Sequence, residues 1–269
     1  MPELTQGTLR LLAFLIVLAA MIVLEALRPR RSGVERRMRW TTNFTLALTG
    51  ALLVRLLLPA AAIGAALHAS AGGIGLFNSL ALPEWAALLL SVLLLDFAIW
   101  LQHLAFHKSP LLWRLHRMHH SDPALDVSTG LRFHPLEILI SMIYKIAIVT
   151  AFGLPAMGVL AFEILLNATA MFNHGNLALP ERLDRVLRLF LVTPDFHLVH
   201  HSARRDEHDA NYGFSLPWWD FLFGTYVAEP KEGRAGMRIG LHGFDPPAGP
   251  GLLALLLLPF RKPAPSERP

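Results

Sequence analysis

Two HxxHH clusters, His116, His119, His120 and His197, His200, His201, and an HxxxH pair, His103 and His107, are the residues of this chain best suited to chemistry. Side chains three or four positions apart on a helix project from one side, so each cluster can aim two or three ring nitrogens at one centre. Eight imidazoles exceed the four ligands of a closed structural zinc site. They suffice for two metal ions with positions left for a small ligand such as dioxygen or water. Neutral imidazole suits iron, zinc and copper alike, so ligand type alone does not name the metal. A single cluster can arise by chance in a chain with 13 His, whereas two clusters and a pair point to a built site.

The elements that carry these histidines belong in a membrane. The chain is 54% hydrophobic and only 16% charged, whereas charged residues approach a quarter of a soluble domain. Apolar runs cover 8–27, 41–67 and 83–106, and a fourth region, 136–172, is long enough for two passes broken at Gly153 and Pro155. Four or five spans follow, with a dip that enters and returns on one side as the alternative for 136–172. No small-residue cleavage site follows the first run, so an anchor helix is expected there. The predicted fold is an all-α, multi-pass helical bundle with a cytosolic helical cap holding a His-rich dimetal site. Its regions are 1–82 (N-terminal transmembrane), 83–230 (catalytic) and 231–269 (interfacial segment and tail).

Charge sets the expected orientation. Arg28, Arg30, Arg31, Arg36, Arg37 and Arg39 crowd the loop between the first two spans, which places that loop in the cytoplasm. Counting spans from there puts the linker 64–82 outside, and His103–Pro135 and everything beyond Pro180 inside, so all the clustered histidines share one face. The run 251–260 is too short to cross and is assigned to the interface, and 261–269 is expected to be disordered. The absence of Cys excludes disulfides, thiolate-ligated haem, iron–sulfur clusters and a cysteine nucleophile from this polypeptide.

The segments HLAFH at His103, HRMHH at His116, FHPLE around His134, NHGN around His174 and HLVHH at His197 resemble the histidine boxes of the fatty acid hydroxylase and sterol desaturase superfamily. NYG at Asn211 and WWDFLFGTY from Trp218 resemble its C-terminal signature. The resemblance covers about half of the chain. It implies a membrane-embedded diiron oxygenase that uses dioxygen, takes electrons from a separate carrier protein and acts on lipid acyl chains or sterols, with zinc able to replace iron in purified material. His103, His107, His116, His119, His120, His197, His200 and His201 carry over as metal ligands. His174, where the fifth span ends, is a further expected ligand; His134 is a ligand, a donor behind one, or a helix-start residue ahead of Pro135.

Asp96, buried in a span, either orients a histidine or pairs with Arg55. Asp195 and Asp220 either fix imidazole tautomers or serve as a helix cap and surface ion partners. His68, His208 and His242 lack partners at helical spacing and are left out of the site. Trp218, Trp219, Phe221 and Phe223 are expected to anchor the cap at the membrane, with a lipid channel as the alternative.

The expected activity is hydroxylation, or less readily desaturation, of a long-chain lipid or sterol-like substrate drawn from the bilayer; carotenoids and ether lipids are further candidates. The alternative is a non-redox dizinc protein that binds or cleaves lipid, and the plainest is a membrane scaffold that buffers metal. No nucleic-acid partner is expected. The expected location is a bacterial inner membrane with the metal site on the cytoplasmic face.

Overall fold

A computed structural model describes residues 3–32, 36–80, 82–244 and 251–262; residues 263–269, most of the tail expected to be disordered, lie outside the described residues. Among the described residues, five helical stretches are long and apolar enough to cross a membrane: Gln6–Leu27, Arg36–Ser79, Glu84–Lys108, Pro135–Phe152 and Ala156–Asn173. The first is α1 (Glu3–Leu27), whose Leu11, Leu12, Leu15 and Ile16 face outward as lipid-facing residues do. The second is not one helix. Pro59 lacks an N–H and disfavours helix at Leu58, so α2 (Arg36–Leu57) stops and α3 (Ala61–Ala71) starts anew, followed by the single turn α4 (Leu76–Ser79). The single run 41–67 and the linker 64–82 are therefore redrawn: most of that linker's first half is helix, packed on the hairpin described next.

After α5 (Glu84–Lys108) and the short helix α6 (Pro110–His120), α7 (Pro135–Phe152) and α8 (Ala156–Asn173) form that hairpin. Each has 18 residues, about 27 Å of helix, close to the thickness of a hydrocarbon core, so two full passes fit better than a dip. Gly153 closes α7 with φ 65°, a left-handed conformation, and a Cβ there would lie 2.3 Å from the Ile74 carbonyl oxygen. The main apolar core joins α3, α5, α7 and α8 through Ala62, Leu95, Ile99, Val149, Leu160 and Phe162. Inside the bundle Lys145 donates to Glu163 at 2.8 Å and Arg10 lies 3.0 Å from the other carboxylate oxygen, which neutralises charges that are costly in lipid.

Over one end of this bundle lies a cap of short helices: α6, α9 (Glu181–Leu187), α10 (Pro194–His200), α11 (Arg205–His208), α12 (Trp218–Phe223) and α13 (Gly233–Gly236). Three helices start the same way: a polar residue caps the end and proline, whose missing N–H costs nothing there, takes the first helical position. These are Ser109-Pro110 for α6, His134-Pro135 for α7 and Thr193-Pro194 for α10. The segment expected at the interface forms α14 (Leu252–Leu256) and a following turn; Leu255 and Leu258 pack on Leu46 and Met118, and Arg114 and Arg117 hold the carbonyls of Pro259 and Leu258.

Candidate metal centre

Nine histidines converge beneath the cap, all buried, in two adjoining groups: His103, His107, His116, His120 and His200, and His119, His174, His197 and His201. Within each group the nitrogens lie within 4.8 Å of one another. The rings of His120 and His201, one from each group, stack at 4.7 Å.

Each HxxHH cluster serves both groups, not one centre as its spacing first suggests. Successive helical residues are about 100° apart, so adjacent His119 and His120 point in different directions, while residues four apart nearly align. His116 and His120 therefore join one group and His119 the other; His197 and His201 join the second and His200 the first. The two clusters interlock, each lending its middle histidine to the other's centre. The HxxxH pair of α5 completes the first group, and His174, at the C-terminal cap of α8, completes the second.

Backbone carbonyls fix the tautomers. The Nδ1 atoms of His103, His174 and His200 each lie 2.7 Å from a carbonyl oxygen, of Tyr212, Ala170 and Ala210 respectively, and that of His119 lies 3.2 Å from Arg132 O. A carbonyl only accepts, so in each ring Nδ1 carries the hydrogen and Nε2 is a bare lone pair. Yet the Nε2 atoms of His119 and His174 are 3.0 Å apart. Neither can donate to the other, and two facing lone pairs repel unless a cation lies against both. The pairs His103–His116 and His107–His120 in the first group and His174–His197 in the second repeat this spacing, at 3.0, 3.1 and 3.1 Å. His201 has no hydrogen-bond partner at either nitrogen, and His200 has none at Nε2. Zinc–imidazole bonds of about 2.0–2.1 Å place neighbouring ligand nitrogens at about this separation. The residues fit two metal ions.

Burial keeps the rings in the form that binds metal. Buried inside the protein, His116 is pushed down to about 3 and His174 to about 4, while His119, His120, His197, His200 and His201 fall well below the usual imidazole range, first through burial and then through mutual repulsion. Neutral imidazole is the ligand form.

Behind the rings, Glu137 accepts from His116 Nδ1 at 2.7 Å and an Asp209 oxygen lies 3.4 Å from His107 Nδ1. Glu137 stands inside the FHPLE segment, where a first-turn acid reads as an ordinary helix-dipole partner and gives no sign of what it touches. Asn211, in the left-handed region at φ 54°, donates to the carbonyls of Phe196 and Val227 and turns the chain so that Tyr212 O meets His103. A buried network under α6 supports the second group: Arg39 binds Asp122 and Asp126, and Arg132, whose carbonyl holds His119, donates to Met118 O, Asn43 and Ser121. Gly130 lets this segment approach α8, because a Cβ there would lie 2.5 Å from Ala170 O, the acceptor for His174.

Four residues that the sequence left with alternatives take defined places. His134 is the N-cap of α7: its Nδ1 accepts from Leu136 N at 3.2 Å and its Nε2 lies 3.2 Å from Leu256 O, which turns the ring away from both groups. Asp96 accepts from Trp219 Nε1 and Leu216 N and does not pair with Arg55, which donates to Pro59 O. Asp195 binds Arg30 and Arg234. Asp220 acts one step removed, accepting from the Tyr212 and Gly213 N–H groups, Trp100 and Thr225, and so clamps the segment that presents Tyr212 O. His208, left out for want of a helical partner, is buried and stacks on Trp113 at 5.4 Å, with His107 and Asp209 beside it; only tertiary proximity reveals that. His68 and His242 are exposed. Trp218, Phe221 and Phe223 are exposed, as membrane anchors would be, while Trp219 packs on Phe97.

The arginine loop touches the histidine face directly. Arg30 reaches Asp195, Arg31 binds Asn176, and Arg39 holds Asp122 and Asp126, so loop and metal groups lie on the same side of the bundle.

Comparison with known proteins gives a consistent result. The sequence model described as fatty acid hydroxylase matches residues 88–225. The chain is 29% identical over 184 residues to ornithine lipid hydroxylase of Rhizobium tropici, covering 67% of this chain and 52% of that protein. It is 28% identical over 156 residues to human alkylglycerol monooxygenase, covering 56% of this chain and 33% of that one, and 26% identical over 146 residues to a very-long-chain aldehyde decarbonylase of Oryza sativa, covering 51% and 23%. The chain thus spans about half the length of the first relative and a third of the second. No solved structure matches it.

Proposed function

The chain belongs to the fatty acid hydroxylase family, and from that premise we propose that it is a membrane oxidoreductase that inserts oxygen into a C–H bond of a long-chain lipid, using a diiron centre held by the nine clustered histidines. The observation that carries the reading is the facing pair of bare Nε2 atoms on His119 and His174, which a cation between them reconciles, with the same spacing repeated at three other histidine pairs. When bound, the metal pair supplies dioxygen chemistry: one oxygen atom goes to the substrate carbon, and the other leaves as water with two electrons and two protons from an external carrier.

The chain's own residues do the rest. The carbonyls of Tyr212, Ala170, Ala210 and Arg132 hold the rings in one tautomer, so ligand geometry is set before metal arrives. Phe133 stacks on His119 at 4.5 Å, and Phe214 lies tilted against His103 at 4.8 Å. Both aromatics belong to the apolar cluster of the spans, so the membrane side of the site is hydrocarbon, which excludes water and suits an acyl or alkyl chain. Hydroxylation and desaturation start from the same C–H bond, and the position of the chain over the site selects between them. By the positive-inside rule the site faces the cytoplasm, where a soluble or peripheral electron carrier can reach the cap.

The test is reconstitution of the full chain with ferrous iron, reductant, dioxygen and a bacterial lipid extract, followed by mass spectrometry. The expected product is a lipid heavier by one oxygen atom, absent for His119→Ala and His200→Ala. Two tightly bound zinc ions with no dioxygen-dependent product would turn the reading to the non-redox alternative.

A further inference from the structure

Beside the metal groups, a cavity of about 200 Å³ opens between the last turn of α1 and the first turn of α2. Its lining is polar and of both signs: Glu25, Asp126, Arg31, Arg36, Ser32 and Asn176. Asp126 is committed to Arg39 and Trp40. Glu25 is not. Its side chain is fully buried; Oε1 accepts from the N–H groups of Val127 and Asn176 at 2.7 and 2.9 Å, but Oε2 has no hydrogen-bond partner, and the nearest cation, Arg36, is at 4.0 Å. A buried carboxylate oxygen facing a cavity asks for a donor, and a cationic donor most of all. Arg36, beside Oε2, and Arg31, whose Nη2 already donates to the carbonyls of Arg234 and Met237 while its buried Nε has no partner, leave guanidinium N–H groups for an anion.

The level of the cavity in the membrane narrows the ligand further. Leu24 and Leu27 of α1 and Met38 of α2 are exposed apolar residues on the spans that flank it, while the arginine loop lies just beyond, so the cavity sits where lipid headgroups lie. A narrow crevice shares Arg31, Leu125 and Asn176 with it and runs on to Gly175, Pro194 and Leu198. Gly175 and Leu198 are chain neighbours of His174 and His197.

We infer that this cavity binds the headgroup of a membrane lipid that carries a primary ammonium next to an anionic group, the ammonium on Glu25 Oε2 and the anion on Arg31 and Arg36. The inference rests on the lipid-oxidising reading and deepens it, because a lipid held there lies beside the His119, His174, His197, His201 group. A quaternary ammonium has no N–H to donate, so the cavity separates headgroups of similar charge by their hydrogen-bonding capacity.

Binding of phosphatidylethanolamine, phosphatidylcholine and phosphatidylglycerol with identical acyl chains to the full-length protein, measured by native mass spectrometry, tests this. The expected result is roughly tenfold tighter binding of phosphatidylethanolamine than of either other lipid, the effect of one charge-assisted hydrogen bond in a buried site. Glu25→Gln, whose amide oxygen still accepts from Val127 and Asn176, should bring phosphatidylethanolamine to within about twofold of phosphatidylcholine, and Arg36→Gln, at a half-exposed position, should weaken phosphatidylethanolamine and phosphatidylglycerol together. Equal affinity for the three lipids, or an unchanged preference in Glu25→Gln, overturns the assignment. Soluble glycerophosphoethanolamine competing as well as the lipid would give the site to a soluble zwitterion and overturn the lipid assignment. Lipid oxidation is scored separately: a headgroup preference without any oxidation overturns the enzymatic reading and leaves this site standing, and oxidation without the preference does the reverse.

Discussion

Replacing Glu137 should weaken one metal site and spare the other. Its oxygen lies 2.7 Å from His116 Nδ1, the short end of the charge-assisted range, and both side chains are buried, so no water replaces the contact. A hydrogen bond to a charged group in such a place contributes about 1.5–3 kcal/mol, or about 10- to 100-fold in binding, the range found when the residue behind a ligating imidazole is removed. Because His116 belongs to the five-histidine group, Glu137→Ala should lower the affinity of that metal by this factor and leave the metal of the His119, His174, His197, His201 group in place. Glu137→Gln keeps an acceptor for Nδ1 but not the charge, and should lose roughly threefold to tenfold. The assay is metal content against increasing chelator: the wild type releases two equivalents together at high chelator, whereas Glu137→Ala releases one early. Simultaneous release of both metals at the wild-type midpoint, or equal losses for Ala and Gln, would refute the argument that this carboxylate holds one ligand of one centre.

Other consequences follow from the same geometry. His134→Asn should keep full metal content and, because Asn also caps helices, nearly full stability, while His134→Ala should cost about 1 kcal/mol of stability in chemical denaturation with both metals retained; loss of a metal in either variant would restore His134 to the ligand set. For metal-free protein, stability should fall with acid: the buried histidines stay neutral when folded but protonate near 6.5 when unfolded, so the unfolded state takes up more protons as pH drops below 6.5. His116 and His174, held at about 3 and about 4, should each cost roughly 1.4 kcal/mol at one unit below 6.5, with the loss continuing towards those values; a flat thermal midpoint between pH 7.5 and 5.5 would contradict their burial. Single cysteines placed at the exposed positions Ser32 and Asp206 should label only from the cytoplasmic side and one at Gly72 only from the other; the native chain has no Cys to confuse the result, and labelling Asp206→Cys from outside intact cells would reverse the orientation.

Much of this protein is determined by local pattern. Helical periodicity in His103–His107, His116–His120 and His197–His201 specifies which rings share a helix side, because that depends only on the 3.6-residue turn. Apolar length likewise specifies the other four spans and the break at Gly153 and Pro155, because a bilayer demands a fixed length of continuous helix, but not the stop of α2 at Leu57 and the fresh start of α3 at Ala61. What depends on how helices meet was decided elsewhere. Only packing of α6 against α10 shows that the two HxxHH clusters trade their middle histidines, since a cluster's own spacing does not say what stands opposite. Only the approach of Glu137, Tyr212 O and Ala170 O to ring nitrogens fixes the tautomers, and two of these three partners are backbone atoms with no sequence signature. The same holds for His134, whose ring direction is set by the start of α7 and by Leu256 O, 122 positions away, and for Glu25, an unremarkable acid at the end of a span until folding leaves one of its oxygens buried and alone beside a cavity. Spacing along a helix is a property of the chain; the environment at each nitrogen and oxygen belongs to the assembled helices.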